Sequence, residues 1–195
     1  VRNDRNNPKL SVNDFPEYNP SASGTSAGVL YALTNGKASS ISDGNVVAVP
    51  GFLGTNGGIE SMDVASLNHT NVAASVVTTN AEGDKKSQLY MGPVDGDSTK
   101  ILTAATLTKP TFEANSQAVW TVMDGNKVMR VAQSSSSSSI SQTEVDTSEL
   151  GENHGDISVL RLSPTGVQAA FIVDGRVYVA TVCLLYTSPS PRDRG

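Results

Sequence analysis

Few residues in this chain have the chemistry to bind a metal or attack a substrate. The histidines are His69 and His154, and the single cysteine is Cys183. A zinc site needs several nitrogen or sulfur ligands converging on one point. Two histidines on separate repeats with no spacing motif read instead as loop or rim residues. Asp95-Gly96-Asp97-Ser98 has the opening of a calcium loop without its later glutamate or full spacing, and reads as a turn joining two strands. No nucleophile elbow, zinc-protease helix or phosphate loop occurs, and a carboxylate pair for glycoside cleavage cannot be assigned from position in the sequence. Trp120 alternates with Val119 and Thr121 in an apolar run, which favours burial over a ligand-stacking role. The expectation is therefore no catalytic residue, no cofactor and no metal. One stretch stands apart: Thr143 to Asp156 carries Glu144, Asp146, Glu149, Glu152 and Asp156 and no Lys or Arg. It reads either as a solvated connection or as an acidic loop that contacts a partner.

Composition narrows the class. The chain has 195 residues, with 14 Lys plus Arg against 19 Asp plus Glu, a net charge of -5. That balance argues against a nucleic-acid-binding face, which needs a local surplus of cations. Charged residues make up 17%, below the roughly 25% usual in soluble domains. Ser, Val and Thr are abundant, which favours strands and polar loops over helices. No apolar run approaches the roughly 20 residues of a membrane-spanning helix.

The elements repeat. Gly28 to Ile41 (GVLYALTNGKASSI), Val72 to Val94, Ala118 to Val131 (AVWTVMDGNKVMRV) and Ala169 to Val182 (AAFIVDGRVYVATV) each read as an apolar run, a polar turn and a second apolar run. Asn-Gly and Asp-Gly accept the positive φ of tight hairpin turns, so each unit predicts a β-hairpin. Ala74, Val119 and Ala170 are taken as equivalent positions. Further short strands are expected at Lys100 to Leu107, Ile157 to Leu162 and Asp43 to Gly51. Met62 to Asn68 fits one helical turn or an alternating strand. Ser134 to Ser139, six serines in a row, read as a flexible loop that buries little apolar surface. A strand-only repeat of about 45–50 residues suggests propeller blades. The fold class is all-β: a partial β-propeller of antiparallel blades, three to four of them, open at both ends. The first and last blades should then expose apolar faces and strand edges, so the isolated chain should aggregate or be marginally stable.

Lys109-Pro110-Thr111-Phe112 with Val119-Trp120-Thr121-Val122, Leu160-Arg161-Leu162-Ser163-Pro164 with Gly166-Val167, and Gly175 to Ala180 together resemble the β-propeller domain of LpqB-type actinobacterial lipoproteins. Leu30 to Leu33 and Val47 to Gly51 extend the resemblance upstream. Asn115-Ser116 and Thr165-Gly166 stand where that family often has Asp-Gly, a change compatible with the same turns. The resemblance implies a non-enzymatic, extracytoplasmic lipoprotein, held to the membrane by an acylated cysteine outside this stretch and carrying a sporulation-protein-like domain before the propeller. It further implies an accessory role beside the extracellular domain of a sensor histidine kinase, in a two-component system of cell-envelope homeostasis. A secreted propeller hydrolase and a propeller that binds cell-wall carbohydrate are the alternatives, since fold does not decide function.

Residues 1–27 read as a linker or the lead-in to a domain, and 28–182 as the propeller. Residues 183–195 read as a non-native tail. Cys183 to Asp193 (CLLYTSPSPRD) is what a transposon-based sequencing adapter encodes when translated, which would make the cysteine foreign to the protein.

Overall fold

The computed structural model describes residues 17–18, 30–34, 36–42, 45–48, 58–67, 70–81, 84–114, 116–134, 139–148 and 155–182. All elements among them are strands. The first sheet contains β1 (Glu17–Tyr18), β2 (Leu30–Thr34), β3 (Lys37–Ser42) and β4 (Asn45–Ala48), and the second β5 (Ile59–Leu67), β6 (Thr70–Ala81), β7 (Asp84–Pro93) and β8 (Thr99–Ala104). The third contains β9 (Thr111–Phe112), β10 (Ala118–Met123), β11 (Lys127–Gln133) and β12 (Ile140–Glu144), and the fourth β13 (Ile157–Leu162), β14 (Gln168–Val173) and β15 (Arg176–Thr181). Each sheet is an antiparallel meander in chain order. Their leading strands β1, β5, β9 and β13 touch one another in succession. This is the arrangement of blades around a common axis, and the expected partial propeller is what the chain forms. Two residues of the stretch read as a linker, Glu17 and Tyr18, belong to its first blade.

Turn chemistry closes the hairpins. Asp174 (φ 48°) and Gly175 (φ 75°) join β14 to β15, where Val173 pairs with Arg176. Both central residues have positive φ, the signature of a type I′ turn, whose twist matches that of the strands. Asp124 (φ 51°) and Gly125 (φ 87°) turn β10 into β11. Two turns also join blades: in the β2–β3 turn the carbonyl of Gly36 accepts from the Ile59 amide (3.0 Å), and in the β10–β11 turn that of Gly125 accepts from the Ile157 amide (2.7 Å). Each of these two turns thus meets the start of the following blade.

The core lies between blades. Tyr31 and Leu33 of blade 1 pack with Ile59, Met62 and Val64 of blade 2. Ala74, Leu89 and Met91 of blade 2 pack with Phe112, Val119 and Val131 of blade 3. Trp120 and Val122 of blade 3 pack with Leu160, Phe171 and Val173 of blade 4. Inner blades bury both faces, so β10 is buried at five consecutive positions.

This geometry corrects one equivalence. Val119 faces back to blade 2, whereas Ala74 faces forward to blade 3. Ala169 and Phe171 face back to blade 3, so Val119 matches Ala169 and the counterpart of Ala170 is Trp120. A shift of one residue in a strand moves a side chain to the opposite face. Met62 lies inside β5, which decides its stretch for strand over helix. Asp95 to Ser98 join β7 to β8, with the Gly96 amide donating to the Pro93 carbonyl (3.2 Å). The Ser134 amide donates to the Ser139 carbonyl (3.0 Å) across the ends of the serine run.

Candidate functional site

Three charged side chains enter the propeller on or beside its innermost strands: Asp63 in β5, Lys109 just ahead of β9, and Arg161 in β13. They come from three successive blades. Asp63 interrupts the apolar sequence Met62-Asp63-Val64, opposite Ala74. Its Oδ1 accepts from the amide of Val64 (3.0 Å) and its Oδ2 from the amide of Phe112 in the next blade (2.8 Å). Burial raises its pKa above the usual carboxylate range, against the opposing pull of those two amides and of the Arg161 charge.

Arg161 similarly interrupts Leu160-Arg161-Leu162, opposite Ala170. Its Nη1 donates to the carbonyl of Leu160 (2.7 Å) and more weakly to that of Lys109 (3.4 Å). Burial lowers its pKa and the Asp63 charge opposes the change. The amide of Leu162 donates to Thr111 Oγ1 (3.4 Å), a second tie between blades 3 and 4. Lys109 is half-buried. Burial first, and then the neighbouring Arg161 charge, lower its ammonium to about 8. The Arg161 charge is thus felt by both Asp63 and Lys109, and each oxygen of the Asp63 carboxylate accepts one main-chain amide.

Lys109 makes stability depend on pH. A lysine in an unfolded chain titrates near 10.4, so between about pH 8 and pH 10 the unfolded state holds the extra proton and stability rises with pH. Well below pH 8 both states are protonated and the native state bears the full burial cost. The urea midpoint of the dilute chain should accordingly increase from pH 7.5 to pH 9.5. Lys109→Met should raise the midpoint at pH 7.5 and flatten the increase. An equal rise in that variant would assign the effect to other groups. Asp63 and Tyr31, both raised by burial, act in the opposite sense, since an acid whose folded pKa is raised loses stability as pH rises.

The acidic residues singled out in the sequence lie elsewhere. Glu144 ends β12, an outer edge strand exposed along its whole length. Asp146 accepts the Ser148 amide at Oδ1 (2.8 Å), a local turn contact. Asp156 is exposed just ahead of β13, its carboxylate against Gly125 in the β10–β11 turn. Glu149 and Glu152 lie outside the described residues, as do His69, His154 and Cys183. Among the described residues no three His, Cys, Asp or Glu side chains gather in a metal-binding group.

Asp63 and Arg161 carry a sequence signal of their own, a lone ionisable residue between two apolar neighbours in a strand. What the sequence does not carry is their convergence, because Asp63 and Arg161 belong to different blades. A separate cleft of about 220 Å³ lies between blades 2 and 3, with Val72, Met91 and Pro93 beside Thr70, Gln117 and Gln133. It has no charged group.

Comparison with known proteins gives a consistent picture. A family model described as the lipoprotein LpqB β-propeller domain matches residues 36–184. Lipoprotein LpqB of Corynebacterium diphtheriae is 42% identical over 186 residues, covering 95% of this chain and 31% of that protein. Lipoprotein LpqB of Rhodococcus jostii is 31% identical over 183 residues, covering 92% and 30%. The chain therefore spans about three tenths of the length of these curated relatives. Among solved structures, a gluconolactonase from Xanthomonas campestris superposes with a TM-score of 0.53 at 11% identity, over 79% of this chain and 58% of that one. At that identity the likeness concerns the fold alone.

Proposed function

Because the chain belongs to the lipoprotein LpqB β-propeller family, we propose that it is a non-enzymatic binding scaffold of an extracytoplasmic lipoprotein, anchored in the cell membrane by a lipid outside this stretch. Its partner on this reading is the extracellular domain of a sensor histidine kinase, and its role is accessory to signal transduction by a two-component system in cell-envelope homeostasis. Family membership is the observation that carries the proposal. The architecture is compatible with it: buried inter-blade cores hold the strands rigid, while their connections are free to vary and make contact.

The contact surface on this reading is the acidic segment from Glu144 to Asp156. Glu144 and Asp156 are exposed, and no Lys or Arg occurs between Thr143 and Asp156. A cationic patch on the partner would supply the complement and speed encounter. The test is a pull-down with the kinase extracellular domain at low and moderate salt. Reversing the charge of Glu149 and Glu152 together should reduce capture several-fold, most strongly at low salt. Unchanged capture at both salt concentrations ends the assignment of this surface, and absence of capture by the parent chain ends the kinase reading itself.

A further inference from the structure

The geometry points to the cleft between blades 2 and 3 as a binding site for an uncharged peptide segment. The carboxamides of Gln117 and Gln133 take its main-chain amide group, and Val72, Met91 and Pro93 take an aliphatic side chain. This site is independent of the acidic surface and of the kinase partner above.

The face that blade 3 turns toward blade 2 begins apolar and ends polar. Val119 and Val131 on it have no exposed surface and pack with Ala74 and Leu89. Side chains two apart in a strand share a face, so Gln117 and Gln133 continue the same two rows. They stand side by side, since the Gln133 amide donates to the Gln117 carbonyl (3.1 Å). Blade 2 does not change in step. It keeps an apolar pair, Val72 across from Pro93, and the cleft of about 220 Å³ lies between that pair and the glutamines. Gln142, cross-strand partner of Val131, shows the alternative: its Nε2 donates to the Ile101 carbonyl of blade 2 (2.8 Å) and closes the interface there. The carboxamides of Gln117 and Gln133 are half-buried and have no hydrogen-bond partner among the described residues.

The lining selects the occupant. Each carboxamide offers N–H donors and a carbonyl acceptor, so an adjacent pair complements the N–H and C=O of one peptide unit. No charged group lines the cleft, and an ion would enter it without compensation. The volume is below the roughly 300–1,000 Å³ of pockets that enclose a whole small molecule, which suits one residue of a longer chain. No aromatic ring is present on which a sugar could stack, whereas Val72, Met91 and Pro93 form a wall for an aliphatic group.

The probe is N-acetyl-leucine N-methylamide, a neutral peptide unit with one aliphatic side chain. It is titrated into the dilute whole chain carrying carbon-13 at its methionine methyls. Met91 is assigned by the loss of its signal in Met91→Leu, and Met62, in the core between blades 1 and 2, is the internal control. The Met91 signal should shift saturably while that of Met62 stays in place. N-acetyl-glycine N-methylamide should bind about tenfold more weakly, for want of the side chain. Gln117→Leu combined with Gln133→Leu keeps the bulk, removes both hydrogen-bonding groups, and should weaken the leucine probe by about tenfold. Should that variant fail to fold, Gln117→Leu alone should weaken it by about fivefold. A Met91 response that does not saturate, or that Met62 shares, overturns the site. Unchanged affinity in the glutamine variants overturns the role of the carboxamides, and equal binding of the glycine probe that of the apolar wall. Tighter binding of N-acetylglucosamine than of the leucine probe overturns the assignment to a peptide.

Discussion

Replacing Trp120 with alanine is expected to destabilise the chain by about 3–5 kcal/mol, enough to remove most of the stability of a typical domain. The indole has no exposed surface and packs with Leu160 and Phe171 in the core between blades 3 and 4. Its Nε1 donates to Glu113 Oε2 (3.3 Å), the same oxygen that accepts from Arg130 Nε (2.7 Å). Arg130 is the cross-strand partner of Trp120. The residue is thus the wedge between two blades and part of the polar tie that holds β9 to β11. Trp120→Phe is the informative control: it preserves most of the packing and loses the indole N–H, a change of about 1 kcal/mol for the hydrogen bond itself. Urea unfolding followed by circular dichroism measures both. If the alanine variant costs no more than the phenylalanine variant, the blade 3–4 core is not where stability resides.

The hairpins were legible because their signals are local. Asp174-Gly175 demands positive φ, and the runs on either side demand strands. Register inside the blades was harder. β10 is buried at Ala118, Val119, Trp120, Thr121 and Val122 alike, so alternation, the usual guide to facing, is absent there. Sequence alone therefore aligns Val119 with Ala74, although the two approach the same core from opposite sides. β9 is two residues long and has no strand signal of its own. It is defined by its pairing with Val119 and Trp120. β12 reads Ile-Ser-Gln-Thr-Glu, too polar to stand out from the acidic stretch that follows it.

The axial cluster was hidden for a different reason. Asp63 and Arg161 each look like a single charge misplaced in an apolar strand, and only the closing of blades about an axis gives both a common neighbour. The polar ties found there are mostly between blades: Asp63 to the Phe112 amide, Arg161 to the Lys109 carbonyl, and Thr111 to the Leu162 amide. The packing cores are likewise between blades. Stability in such an architecture is a sum over neighbouring pairs, so an uncovered blade face forgoes a contribution that every inner blade receives.

Blade 4 presents such a face, and it should drive self-association. Val159, Ile172 and Val177 stand in one cross-strand row, and Arg161, Ala170 and Val179 in the next. Val177 is 71% and Val179 63% exposed. β15, which carries both, pairs only with β14 among the described residues. Fully burying one valine is worth about 1.5–3 kcal/mol, and an open strand edge adds a template for pairing with another chain. The parent chain should therefore sediment as concentration-dependent oligomers. Combining Val177→Glu with Val179→Thr places a charge on the face, keeps a β-branched residue in the strand, and changes the net charge from -5 to about -6, a direction that favours solubility. Sedimentation velocity should show this variant shifted to monomer, with circular dichroism unchanged. A parent chain that stays monodisperse at high concentration and melts cooperatively would show that the valine face does not seek a partner. Persistent oligomers in the double variant would place the contact elsewhere.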